Sequence, residues 1–267
     1  RLRWEGGHNQ AQHRRPGRGG RPQPLRPRAR RRCRQNRNTG KYQEAAADFG
    51  QAIGCTDQAY PAYLARAFTY GLMQNYSAAV EDYSQAIALE GQRAEAYNGR
   101  GVAYEKQQKY TEAIQDFNKA IELAPDASLV YANRAGTYRS MQKYDEAIAD
   151  FSKVLAQEPE AAQIYAERGV TYRMVKRYQD AKNDFDKAVG LQANNPEFYN
   201  GRAIAELDLG DTKTAEADFT KAISLNAKNP AYFANRAALY EQTKQLQLAL
   251  ADYTAGIKMG TTSAFLD

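Results

Sequence analysis

A single period governs this chain. From Tyr60 it divides into units of 34 residues that begin at 60, 94, 128, 162, 196 and 230, without one insertion or deletion. Such self-similarity decides the architecture before local propensity is weighed, because each short unit must bury its apolar face against its neighbours. With places numbered from the start of each unit, place 4 carries Tyr63, Tyr97, Tyr131, Tyr165, Tyr199 and Phe233. Place 8 carries only Ala67, Gly101, Ala135, Gly169, Ala203 and Ala237. Place 11 reads Tyr70, Tyr104, Tyr138, Tyr172, Glu206 and Tyr240, and place 20 is alanine throughout. Place 24 is always aromatic: Tyr83, Phe117, Phe151, Phe185, Phe219 and Tyr253.

Places 4, 8 and 11 fall on one face of a helix, and places 17, 20, 24 and 27 on one face of a second. Small residues at places 8 and 20 let the two backbones approach, and the aromatics fill the space around that contact. A leucine at Gly101 or Ala147 is expected to overpack the seam, at about 1–3 kcal/mol. Asn195-Pro196 and Asn229-Pro230 mark helix starts, an N-cap residue followed by proline at the first helical position. Pro125 and Pro159 stand in the corresponding turns.

This succession of aromatic, small, aromatic, alanine, aromatic and proline resembles the tetratricopeptide repeat family over residues 40–259. The resemblance implies an all-α, right-handed superhelical solenoid of antiparallel helix-turn-helix repeats, with a concave and a convex face. It also implies a non-enzymatic protein–protein interaction scaffold or adaptor that takes a protein or peptide ligand, as an extended segment or a helix, in its concave groove. Departures are few: Glu206 and Thr212 in the unit at 196, and Leu246 and Gly256 in the unit at 230. The unit at 196 is therefore the expected soft joint.

Extending the register backwards puts Tyr42, Ala45, Phe49 and Ala52 at places 17, 20, 24 and 27 of an earlier unit, so a half repeat is expected over 40–59. Full repeats follow at 60–93, 94–127, 128–161, 162–195, 196–229 and 230–263, within an array spanning 40–267. The missing first helix should occupy 27–39, where Ala29, Cys33 and Asn36 stand in place of aromatic, small and aromatic.

The charge is divided the same way. Residues 1–39 hold thirteen arginines, no lysine and one acid, Glu5, whereas the remaining residues carry 24 basic and 30 acidic groups. The basic balance belongs to this Arg/Gly/Pro-rich segment alone. Three readings of it stand side by side. It is a tail that binds nucleic acid through phosphate charge, a disordered solubilising extension, or a mistranslated segment. The last follows from the genetic code, because alanine codons read out of frame give mostly Leu, Pro, Gln, Arg, Gly, Ser and Cys. Nucleic acid is expected as a partner only through this tail, which gives the alternative of a nucleic-acid-associated protein. A further alternative is the regulatory arm of a larger protein, since the chain starts with Arg1 and so reads as a processed or partial product.

Little points to chemistry. Both histidines, His8 and His13, lie in the tail, so the repeats hold no Ser-His, Cys-His or histidine-metal constellation. Cys33 and Cys55 lack the paired spacing of a zinc site. No glycine-rich phosphate loop and no apolar run long enough for a membrane span occurs. The expectation is no catalysis, no cofactor, no metal and no membrane partner. No address is readable, and the cytoplasm is the default.

Two polar sets recur in register. Arg66, Arg100, Arg134, Arg168, Arg202 and Arg236 occupy place 7, while Asp48, Asp82, Asp116, Asp150, Asp184, Asp218 and Asp252 occupy place 23. Place 7 borders the buried face, so these residues are expected to form a structural ladder of bidentate ion pairs rather than a basic stripe for an acidic ligand. The spacing leaves open whether each arginine pairs within its own unit or with the preceding one. The second set lies on the first-helix face that lines the concave groove in this family. Its candidates are Asn98, Glu105, Asn133, Arg139, Arg173, Asn200 and Asn235, whose asparagine amides both donate and accept. Some family members hold a chaperone C-terminal carboxylate in a lysine, asparagine and arginine clamp. The matching places here hold Leu64, Phe68, Gly99, Leu129 and Asn133, or Asn98, Val102, Asn133, Gln163 and Glu167, so that clamp is absent.

Overall fold

The structure, a computed structural model, describes residues 41–54 and 59–259. The readings of residues 1–39, and of both cysteines, lie outside the described residues. Thirteen helices and no strands occur among the latter. They are α1 (Tyr42–Gly54), α2 (Tyr60–Leu72), α3 (Tyr76–Leu89), α4 (Ala94–Lys106), α5 (Tyr110–Leu123), α6 (Ser128–Ser140) and α7 (Tyr144–Gln157). The series continues with α8 (Ala162–Met174), α9 (Tyr178–Leu191), α10 (Pro196–Asp208), α11 (Thr212–Leu225), α12 (Pro230–Gln242) and α13 (Leu246–Lys258).

Each even-numbered helix from α2 to α12 pairs with the helix after it as an antiparallel hairpin, and each hairpin packs on the next. First helices also touch the first helix of the following unit, α2 with α4, α4 with α6, α8 with α10 and α10 with α12. The stack therefore closes up on the first-helix side, which makes that side the inner one. The result is an all-helical solenoid of helix-turn-helix repeats.

Local chemistry sets the boundaries. The side chains of Asn195 and Asn229 accept from the backbone N–H groups of Glu197 and Ala231, and Pro196 and Pro230 open their helices. Inside each hairpin the turn needs one left-handed residue. Gln74, Gln108, Gln142, Lys176 and Lys244 take φ of 58 to 61°, and Gly210 takes 85°. Only Gly210 adopts that region without Cβ strain.

The core is a string of small clusters rather than one mass. Ala113, Phe117 and Ala120 of α5 receive Val130 of α6, and Ala181, Phe185, Ala188 and Val189 of α9 receive Phe198 of α10. Place 3 of each following unit is thus the knob that enters the preceding second helix. Close approach is enforced at particular glycines. A Cβ on Gly101 would lie 2.7 Å from the Phe117 ring, one on Gly99 2.4 Å from Tyr83, and one on Gly201 2.3 Å from Phe185. The place-24 ring packs within its own hairpin against Gly101, and across the seam to the next unit against Gly99 and Gly201.

Candidate functional site

The ladder residues come together with a common geometry. Arg134 donates from Nε to Asp150 Oδ2 at 2.7 Å and from Nη2 to Asp150 Oδ1 at 2.8 Å. Arg66 with Asp82, Arg100 with Asp116, Arg168 with Asp184, Arg202 with Asp218, and Arg236 with Asp252 repeat this fork at 2.5 to 2.9 Å. These aspartates are buried in α3, α5, α7, α9, α11 and α13. The hydrogen bonds to aspartate raise the arginine pKa values above the ordinary range, against desolvation. In the units at 60, 94, 128 and 162 the guanidinium group also lies beside the rings at both places 4 and 11; Arg134, for instance, is 5.5 Å from the Tyr131 centroid and 5.6 Å from that of Tyr138.

The third nitrogen answers the question the spacing left open. Nη1 of Arg100 donates to Ser84 Oγ at 3.0 Å, that of Arg134 to Asn118 Oδ1 at 2.6 Å, and that of Arg168 to Ser152 Oγ at 2.9 Å. Arg202 reaches Asp186 Oδ1 and Arg236 reaches Thr220 Oγ1, both at 2.9 Å. Each of these arginines therefore binds its own unit's aspartate and a place-25 acceptor of the preceding unit. The sequence reasoning missed place 25. Its signal was available, since Ser84, Asn118, Ser152, Asp186 and Thr220 all accept hydrogen bonds. Gly50 stands at that place in the half repeat, where a Cβ would lie 3.2 Å from Arg66 Nη1.

The inner-face candidates are brought together in pairs between adjacent units. Asn133 Nδ2 donates to Asn98 Oδ1 at 2.9 Å, and Asn235 Nδ2 to Asn200 Oδ1 at 2.8 Å. Each pair leaves the Nδ2 group of one amide and the Oδ1 of the other pointing out of the pairing bond. Arg139 is tied to Glu167, and Arg173 donates to Asp208 at 2.7 Å. Glu105 lies 3.1 Å from the Lys106 ammonium. Each charged candidate is thus paired with a neighbouring opposite charge, whereas the amides keep spare capacity.

A trough of about 790 Å³ opens at the N-terminal end of this face, between α2, α4 and α6 with α3 beneath. Leu64, Phe68, Leu72, Val102 and Leu129 make its apolar wall, and Asn98, Asn133, Lys106, Arg93 and Glu95 its polar edge. Phe68 is 50% and Leu129 66% exposed, large values for side chains of this size. Tyr83 forms part of the floor, its hydroxyl pKa pushed up to about 12 by burial, so it stays protonated. Sequence reasoning noted Leu64, Phe68 and Leu129 only as residues that exclude a carboxylate clamp; their joint apolar surface depends on the curvature that brings three units together.

Glu206 is a second departure from the pattern with visible consequences. It is only 4% exposed, its Oε1 is 3.9 Å from Lys182 Nζ, and its Oε2 has no hydrogen-bond partner among the described residues. Burial first, and the Asp218 charge second, raise its pKa to about 7. Among the described residues no cluster of three or more His, Cys, Asp or Glu side chains is arranged for a metal ion, and no helix is long and apolar enough to cross a membrane.

Comparison with solved structures returns the same architecture. A tetratricopeptide repeat protein from Parabacteroides merdae matches with a TM-score of 0.69 and 16% identity, over 88% of this chain and 93% of its own. The C-terminal part of a repeat-containing protein from Cytophaga hutchinsonii matches with a TM-score of 0.70 and 20% identity, over 88% and 96%. YrrB, described as a TPR protein with an unusual peptide-binding site, matches with a TM-score of 0.57 and 20% identity, over 69% and 95%. No curated protein matches the sequence. Profiles described as "Tetratricopeptide repeat" match residues 94–127, 162–195 and 200–264, and those described as "TPR repeat" match 72–108 and 135–174. With the unbroken register and the stacked hairpins, these matches show that the chain belongs to the tetratricopeptide repeat family.

Proposed function

We propose that this protein is a non-enzymatic scaffold that holds an extended peptide segment of a partner protein along its inner face. The observation that carries the reading is the open apolar trough walled by Leu64, Phe68, Leu72, Val102 and Leu129, with the Asn98–Asn133 amide pair at its edge. An extended peptide presents alternating apolar side chains and unpaired backbone amides, and the trough and the spare amide groups complement both. YrrB, with its peptide-binding site, is a structural neighbour and supports the reading by analogy. In this reading the array from residue 40 is the binding body, residues 1–39 form a separate segment, and the arginine–aspartate ladder is structural. The ladder guanidinium groups are largely shielded and each is held in a fork by a buried aspartate, which suits a framework better than a ligand site.

The test is selection of displayed random peptides on the full chain, followed by binding to the Leu129→Asp and Val102→Glu variants. Leu129 is largely exposed, so its replacement leaves the fold intact while placing a charge in the trough. Selected peptides should carry bulky apolar side chains and lose about tenfold or more in affinity for either variant. Peptides that bind both variants as well as the parent would refute the trough as the site.

A further inference from the structure

Two stretches of the inner face are identical and carry a reactive pair. Tyr97-Asn98-Gly99-Arg100 in α4 and Tyr199-Asn200-Gly201-Arg202 in α10 stand at places 4 to 7 of units that begin at 94 and 196, and no other asparagine of the chain precedes a glycine. Packing demands both glycines, since a Cβ would lie 2.4 Å from Tyr83 at Gly99 and 2.3 Å from Phe185 at Gly201. A glycine has no side chain to shield its main-chain nitrogen, so in a flexible Asn-Gly pair that nitrogen attacks the asparagine Cγ. The N–Cγ bond forms, the Cγ–Nδ2 bond breaks, and ammonia leaves with the glycine N–H proton, which gives a cyclic imide. Water then adds to one imide carbonyl and reopens the ring, either to aspartate or, with the main chain rerouted through the side chain, to isoaspartate.

The folded helices hold this chemistry in check. Gly99 and Gly201 lie inside α4 and α10, where a helical N–H is spent on the carbonyl four residues back and helical ψ keeps the nitrogen away from the preceding side chain. Oδ1 of Asn98 and of Asn200 is held as well, by the Nδ2 groups of Asn133 and Asn235. The imide therefore closes only while the helix is open, and both asparagines are half-buried on an open face that water reaches. The two helices are not equally secured. Arg100, next to Gly99, lies beside two rings, 5.8 Å from the Tyr97 centroid and 5.9 Å from that of Tyr104. Arg202 lies 5.5 Å from the Tyr199 centroid, but where α4 has Tyr104, α10 has Glu206, buried with its Oε2 unpartnered among the described residues. A buried oxygen without a partner favours local opening, which lets water satisfy it.

From this geometry we infer that Asn98 and Asn200 are sites of self-modification, converted with water as the sole co-reactant when their helices open, and that Asn200 is converted first. Conversion to aspartate sets a negative charge in place of a neutral amide. Conversion to isoaspartate adds an atom to the main chain and breaks the hydrogen-bond register of the helix. Asn98 lies on the trough edge and Asn200 does not, so the earlier event marks the opened unit and leaves the trough as built.

Timed incubation of the full chain in warm, mildly alkaline buffer tests this, with aspartate and isoaspartate at the two sites quantified by chromatography and mass spectrometry after digestion. The identical neighbours make each site the control for the other. In guanidinium chloride the two asparagines should convert at equal rates. In the native chain both should slow by about tenfold or more, and Asn200 should convert about fivefold or more faster than Asn98. Glu206→Tyr, which restores the place-11 ring, and Glu206→Gln, which removes the buried charge, should each bring Asn200 down towards the rate of Asn98 and leave Asn98 unchanged. Equal native rates at the two sites, native rates as fast as those in denaturant, or an Asn200 rate indifferent to both substitutions would each overturn the inference.

Discussion

Glu206 should make the seam between the units at 162 and 196 weaken as pH rises. Its carboxyl is buried among Lys182 of α9, Arg202 of α10, and Asp218 and Thr214 of α11. With one oxygen unbonded and Asp218 adding like charge, the neutral form is favoured and the pKa stands at about 7, against an ordinary value of 4.5. A raised carboxyl pKa means that the folded state holds the proton more tightly than the unfolded chain. The stability this confers is fully present below about pH 4.5 and is lost as pH rises through 7. At 1.36 kcal/mol for each unit, the loss amounts to about 2–3 kcal/mol between pH 5 and 8. Because a repeat array opens locally, the assay is amide hydrogen exchange of α9, α10 and α11 over that range, compared at each pH with the Glu206→Gln variant. The comparison cancels the intrinsic pH dependence of exchange. Protection in these helices should fall in the parent relative to the variant by roughly 30- to 150-fold across the range. Glu206→Tyr, which restores the ring found at place 11 elsewhere, should remove the pH dependence and raise stability at pH 8. Parallel pH profiles for the parent and Glu206→Gln would refute the reasoning.

Three further outcomes follow from the packing. Arg134→Ala leaves Asp150, only 3% exposed, without its counter-ion and should cost about 3–5 kcal/mol by denaturant melting, while a peptide bound in the trough keeps its affinity. Gly201→Ala drives a methyl group to 2.3 Å from the Phe185 ring, itself 2% exposed and unable to withdraw. It should destabilise the seam by about 1–3 kcal/mol despite alanine's better helix propensity, visible as faster exchange in α9 and α10. Gly50→Ser supplies the place-25 hydroxyl that the half repeat lacks and removes a helical glycine, so melting should show α1 held more firmly, by about 1 kcal/mol.

Much of this was legible in the sequence, because a strict period converts position into environment. Tyr97, Gly101 and Phe117 declare their contacts by place alone, and helices begin 34 residues apart at Tyr60, Ala94, Ser128, Ala162, Pro196 and Pro230. The inner face was less legible, for a physical reason. Whether Asn98 points to solvent or to Asn133 depends on how far one unit rotates on the next, and no period encodes that angle. The trough has the same origin: Leu64, Val102 and Leu129 belong to three units and meet only through curvature. Glu206 was visible as an exception to the pattern, but the ammonium 3.9 Å from it belongs to Lys182 of the preceding unit, a pairing that single-unit comparison does not display.

The doubly bound arginine has a bearing on how such a chain changes length. Arg168 holds Asp184 in its own unit and Ser152 in the one before, and the place that Ser152 occupies is filled by Asn118 one unit earlier. Removal of residues 128–161 as a block would present Asn118 to Arg168, so the junction would be rebuilt from parts already present. Removal of one residue more or fewer would rotate the next helix by about 100° and set the guanidinium against the wrong face. The fastening that makes each unit adhere to its predecessor thus also makes units interchangeable, and restricts inherited gains and losses of length to whole repeats.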